Sequence, residues 1–171
     1  MSQITVRQAT LADTQRITEI CTAHVEAWTH TDITGAQIAA DYADLSLYER
    51  WLNAGPWSSE EMCAVHLANL LRGGDGIPLV AEFDGIVGAT AEVFIGHEPE
   101  PFGHHVNVSR LQVHPDYAET EISLALMTYI RQIGEAIRCK RVTVADGDPD
   151  APLFEHVGYH RAHTGQRVIL R

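Results

Sequence analysis

Ser109–Leu126, SRLQVHPDYAETEISLAL, is the stretch whose reading decides the fold. The residues from Val106 to Val113 alternate as a strand, His114-Pro115-Asp116 is a turn, and a helix begins near Ala118. That helix runs on to about Arg138 and places Ile122, Leu126, Tyr129, Ile130, Ile133 and Ile137 on one stripe. A strand passing straight into a helix leaves unpaired backbone N–H groups and the positive end of a macrodipole at the junction, a place suited to an anion. Glu119 and Glu121 occupy the junction here. Their charge stabilises the helix, but at ~6 Å each repels a phosphate, by roughly 0.7 kcal/mol per unit charge pair in bulk water or about 3 kcal/mol at an effective dielectric near 20.

Moving outward, Leu79–Phe83 and Ile86–Phe94 flank Asp84-Gly85, which predicts a tight hairpin. Gly96 to Gly103 reads as a Pro/Glu loop. At the N-terminus, Ile4–Arg7 is a short strand, and Thr10-Leu11-Ala12-Asp13 starts a helix that continues to about Ala27. The middle, from Trp28 to Gly76, is helical by composition. It holds a short helix over Leu45–Leu52 and a longer one from Ser58 to Arg72, stopped by Gly73-Gly74. In the longer helix Met62, Val65, His66, Leu67, Leu70 and Leu71 are expected to form the buried face. After the central helix, Arg141–Ala145 is a strand, Ala151–His156 a short helix, and Tyr159–Ala162 with Arg167–Leu170 a closing hairpin around Thr164-Gly165.

The chain has 171 residues, enough for one domain with a substantial core, and we expect residues 1–171 to form a single domain. The net charge of -11, from 23 acidic and 12 basic residues, argues against a nucleic-acid partner and, more weakly, against an anionic membrane. Cys21, Cys63 and Cys139 lack C-x-x-C spacing, and buried free thiols are the expectation. With no leader and no long apolar run, the expected location is the cytoplasm.

Several segments together resemble the GNAT (Gcn5-related N-acetyltransferase) superfamily. They are Val6-Arg7-Gln8-Ala9-Thr10-Leu11-Ala12-Asp13, Val80-Ala81-Glu82-Phe83-Asp84-Gly85-Ile86-Val87-Gly88, Leu111-Gln112-Val113-His114-Pro115-Asp116-Tyr117, and Leu153-Phe154-Glu155-His156-Val157-Gly158-Tyr159. The order of elements resembles that superfamily over nearly the whole chain, with 28–76 the least matched part. The resemblance implies an α/β (α+β) fold, with a mixed, mostly antiparallel central sheet flanked by helices. It also implies transfer of acetyl from acetyl-CoA, as co-substrate, to an amine of a small molecule or peptide.

In that superfamily the loop after the central strand runs R/Q-x-x-G-x-G/A and holds the pyrophosphate of coenzyme A. Here the matching residues are Ala118, Glu119, Thr120, Glu121, Ile122 and Ser123, with neither the basic residue nor the glycines. The central strand implies a polarising backbone N–H at Gln112 or Val113, next to Leu111. Phe154 stands where a tyrosine often protonates the departing thiolate. For the base, Glu92 is the carboxylate on the preceding strand, and His105 is a second candidate. His97, Glu98, His104 and His105 lie close in sequence but match no metal-ligand spacing, so no metal is expected. Trp28, Trp51, Trp57, Tyr42 and Tyr48 suit an acceptor pocket, a homodimer contact or core filling. The edited loop leaves a second function class open, a GNAT-fold protein that no longer catalyses and serves as a binding or oligomerisation module.

Overall fold

A computed structural model describes residues 3–74, 76–99, 103–139 and 141–144, and the backbone alone of 145, 160–161 and 166–170. Nine strands and four α-helices are formed among these residues, in the order β1 (Ile4–Gln8), α1 (Thr14–Thr22), β2 (Thr29–Thr31), β3 (Gln37–Ala39), α2 (Leu47–Ala54), α3 (Glu60–Gly73), β4 (Gly76–Phe83), β5 (Ile86–Glu98), β6 (Gly103–Val113), α4 (Ile122–Ala136), β7 (Arg141–Ala145), β8 (His160–Arg161) and β9 (Gln166–Leu170). The main sheet has the order β1-β4-β5-β6-β7-β9-β8. All of its pairings are antiparallel except β6 with β7. This is the mixed, mostly antiparallel sheet that the sequence implies.

The hairpin forms where expected: Asp84 and Gly85 both take positive φ, 50° and 84°, the left-handed pair a two-residue turn needs to follow strand twist. The loop expected over Gly96–Gly103 is shorter, because β5 runs to Glu98 and β6 starts at Gly103, with Glu98 opposite Gly103. In the middle region the structure corrects the all-helical reading. β2 and β3 pair as a small separate hairpin closed by Asp32, whose Oδ1 accepts from the Thr34 and Ala36 amides. α1 ends at Thr22, five residues before the expected Ala27.

Two layers of side chains cover the sheet. On one face α4 buries Ile122, Leu126, Met127 and Ile130 against Ala89, Ala91, Val93, Val106, Val108, Leu111 and Val113. Each fully buried Ile or Leu contributes about 1.5–3 kcal/mol relative to exposure. On the other face α1 and α3 bury Ile17, Ile20, Cys63 and Leu67 against Val80 and Val87. The α3 stripe is therefore Cys63, Leu67 and Leu70 with half-buried His66, while Val65, expected inside, is 63% exposed. Its helical period was legible; Ser59, whose side chain caps the Met62 amide, starts the helix at Glu60, two residues later than expected.

A bulge in β6 sets the polarity of the central strand. Glu92 pairs with Arg110 but Val93 pairs with Val108, so Ser109 is an extra residue. Buried positions move from the even residues Val106 and Val108 to the odd residues Leu111 and Val113. Without the shift, the α4 face would receive Arg110 and Gln112.

Candidate active site

β6 and β7 run in parallel only from His105 opposite Arg141 to Val108 opposite Val144. Beyond that point Arg110–Val113 pairs with β5 alone among the described residues, leaving one backbone edge of β6 without a strand partner there. His24 Nε2 donates to the Val113 carbonyl at 2.7 Å, whereas the His114 amide donates to Gly88 in β5 at 2.8 Å. The Val113 carbonyl thus points away from β5. A strand residue's N–H and C=O point to the same side, so the Val113 N–H lies on the open edge and that of Gln112 faces β5.

Beside the split, on the α1/α3 face, stands Glu92. It is only 9% exposed. The Nε2–H of His66, from α3, donates to Glu92 Oε1, and Ser109 Oγ donates to Glu92 Oε2 at 3.0 Å. The bulge is what brings Ser109 across to the carboxylate. Trp57, buried beneath, meets the His66 ring edge-on at 4.7 Å and has the Arg110 guanidinium 5.8 Å from its own centroid. The Glu92 carboxylate thus accepts from two side-chain donors in a site largely closed to solvent. Sequence reasoning placed Glu92 among the candidates but missed His66 as its partner. The signal was a polar residue on an otherwise apolar helix face.

His105 is not brought to this cluster. It lies five residues before Arg110 on β6, about 17 Å away along the strand, with its ring packed over Gly96 and its Nδ1 3.9 Å from Glu98 Oε1. His97 and His104 stack at 4.6 Å, and no group of three or more metal-ligating side chains forms among the described residues.

At the other end of the split, Pro115–Tyr117 makes a turn of 3-10 helix and α4 begins at Ile122. The helix therefore starts at Ile122, four residues later than expected. Thr120 Oγ1 donates to the Tyr117 carbonyl at 2.7 Å and accepts from the Ile122 amide at 3.4 Å. No backbone carbonyl accepts from the Ser123 or Leu124 amide among the described residues. Ser123 is buried, while Ala118, Glu119 and Glu121 are exposed. The helix N-terminus thus keeps free donors for an anion, and two solvated carboxylates flank it. Phe154 and the expected helix over 151–156 lie outside the described residues.

The aromatic residues of the middle region separate. Trp57 is core, Trp28 packs edge-on against Tyr42, and Tyr48 and Trp51 are exposed. All three cysteines are free and buried. Burial pushes the Cys21 thiol up to about 12 and the Cys63 thiol to about 11. No helix among the described residues is long and apolar enough to cross a membrane.

The architecture matches solved structures over almost its whole length, GNAT-family acetyltransferases from Ralstonia eutropha and Staphylococcus aureus among them, with TM-scores of 0.62 and 0.63 at 14% and 13% identity. PaiA N-acetyltransferase from Thermoplasma acidophilum, in complex with coenzyme A, aligns with a TM-score of 0.63 and 16% identity over 97% of this chain and 96% of that one. An acetyltransferase from Trypanosoma brucei aligns at 0.62 and 18% identity over 94% of each chain. A transcriptional regulator from Bacillus halodurans C-125 aligns at 0.66 and 14% identity over 95% and 97%. The chain therefore has the GNAT fold. No known family profile matches the sequence, and no curated protein matches it either.

Proposed function

We propose that this chain is an N-acetyltransferase that uses acetyl-CoA as donor and acts as one domain on the amine of a small molecule or peptide. The observation that carries the reading is the buried Glu92–His66 pair, seated where β6 parts from β7 and leaves the Val113 N–H on an open edge. In acyl transfer the amine nitrogen attacks the thioester carbonyl carbon. The C–N bond forms, the C–S bond breaks, and the thiolate leaves and is protonated to coenzyme A. The chain must hold the reactants together, donate an N–H to the developing oxyanion and accept the amine proton. Val113 N–H serves the oxyanion, in preference to Gln112, and Glu92 with His66 takes the proton. The free amides of Ser123 and Leu124 support a phosphate at the start of α4, with Thr120 fixing the loop.

A second reading, a binding module that has lost catalysis, is favoured by the loop Ala118–Ser123, which has no glycine and exposes Glu119 and Glu121. Calorimetric titration of acetyl-CoA separates the two. Micromolar binding, together with thiol release when amines are added, supports the transferase. Absence of binding at millimolar donor overturns it in favour of the module.

A further inference from the structure

Arg110 and Gln112 are neighbours on the α1/α3 face of β6 and line a cavity of about 490 Å³ with Cys21, His24, the exposed Glu26 (which makes no ion pair with Arg110 among the described residues) and the end of α2 at Asn53 and Ala54. Arg110 Nη1 and Gln112 Oε1 are both fully buried and lack a hydrogen-bond partner among the described residues. Buried polar atoms are nearly always paired, and an unpaired buried cation is the costliest case. The carboxylate opposite Arg110 is Glu92, but His66 and Ser109 occupy its two oxygens. The Cys21 thiol beside Arg110 stays protonated at neutral pH, since burial outweighs the nearby guanidinium, and supplies no counter-charge. Among the described residues the half-buried Arg110 thus has no carboxylate partner and one unpaired guanidinium nitrogen, Nη1, with the unpaired Gln112 Oε1 two positions along a strand that also borders the Glu92–His66 pair.

We propose that the molecule this cavity takes is an amine that also carries a carboxylate, of the amino-acid class. Its carboxylate ion-pairs with the Arg110 guanidinium and an N–H donates to Gln112 Oε1. A guanidinium fork suits a carboxylate bidentately, and that geometry discriminates it from a neutral group. Calling this molecule the acetyl acceptor rests on the transferase reading above; the ligand chemistry of the cavity does not.

The test pairs amino acids with their decarboxylated amines: L-leucine with isoamylamine, and L-ornithine with putrescine. Two readouts are taken on the intact chain, kcat/KM for acetyl transfer from acetyl-CoA and calorimetric binding of each probe without donor. At least one amino acid is expected to exceed its amine by about 10- to 100-fold, which is about 1.4–2.8 kcal/mol. Arg110→Gln should remove that preference, and Arg110→Lys, which keeps the charge, should restore part of it. Equal treatment of acid and amine in both readouts, or a preference that survives Arg110→Gln in a folded variant, overturns the proposal. If no probe is acetylated yet an amino acid binds in an Arg110-dependent manner, the carboxylate site stands and the transferase reading falls. If transfer occurs but favours the amines, the reverse holds.

Discussion

Glu92 and His66 meet side chain to side chain although 26 residues and a change from helix to strand separate them. Ser109 closes the other carboxylate oxygen. If this pair accepts the amine proton, Glu92→Gln and His66→Ala should each lower kcat by about 10²–10⁴-fold while leaving KM for acetyl-CoA nearly unchanged. Steady-state kinetics with a folded variant decides it. A kcat within a few-fold of the parent would remove the pair from the mechanism.

The carboxylates at the start of α4 should weaken donor binding through charge alone. Glu119 and Glu121 are exposed, so solvent screens them, and each is worth about 0.2–1 kcal/mol. The double variant Glu119→Gln/Glu121→Gln should bind coenzyme A about 2- to 30-fold tighter, with the gain fading as salt rises. Calorimetry at two ionic strengths tests this. A gain that ignores salt would point to altered loop conformation instead of charge.

The turn Asp84-Gly85, the junction after Val113 and the α4 stripe were legible because each depends on local backbone chemistry or a helical period. The bulge at Ser109 was not, since one extra residue in a strand leaves no compositional trace and is seen only against its partner, β5. That bulge decides which face Arg110 and Gln112 reach, and so the cavity was hidden with it. The β2–β3 hairpin was missed because Thr29–Thr31 and Gln37–Ala39 are three-residue strands, too short for a periodic signal, around an Asp32 turn. His66 was visible as a polar residue on an apolar stripe, but its partner lies on another element.

Gly88 holds the end of the central strand against the edited loop. Its carbonyl accepts from the His114 amide at 2.8 Å, and a Cβ there would lie 2.8 Å from the Tyr117 ring and 2.9 Å from Ile122 Cδ1. Ile122 Cδ1 is a side-chain tip that can rotate aside, but the Tyr117 ring meets the Cβ at its stem and cannot yield without shifting the turn before α4. Gly88→Ala should cost about 1–3 kcal/mol, read as a lower denaturant midpoint at unchanged slope. It should also weaken coenzyme A binding more than a remote substitution of equal stability cost. A stability loss with normal donor affinity would uncouple Gly88 from the loop.

The three thiols should be silent in the native state. Burial holds Cys21 near 12 and Cys63 near 11, and the thiolate is the reactive form. Iodoacetamide at mildly alkaline pH should label the native chain far more slowly than the chain in denaturant, with mass spectrometry locating the adducts. Fast native labelling of Cys21 would mean that the cavity it lines opens widely.

Asp13 ties the first strand to the first helical turn, and its pH dependence has a definite sign. Its carboxylate accepts from Arg7 Nη1 and Nη2, each at 2.8 Å, and from the Thr10 amide at 2.7 Å. The Arg7 hydrogen bonds hold its pKa below the ordinary carboxylate value, against the opposing effect of burial. A folded-state value below the unfolded one means that the carboxylate stabilises the fold fully above about pH 4, the unfolded value. That stabilisation drains away as the pH falls through the lower native value. Asp13→Asn should therefore cost about 1.5–3 kcal/mol at neutral pH. The gap between parent and variant should stay constant down to about pH 4 and narrow below it. Urea unfolding of both proteins across that range measures the gap directly. A gap undiminished at the lowest pH where both remain folded would show that the loss comes from altered packing around Asp13, not from its charge.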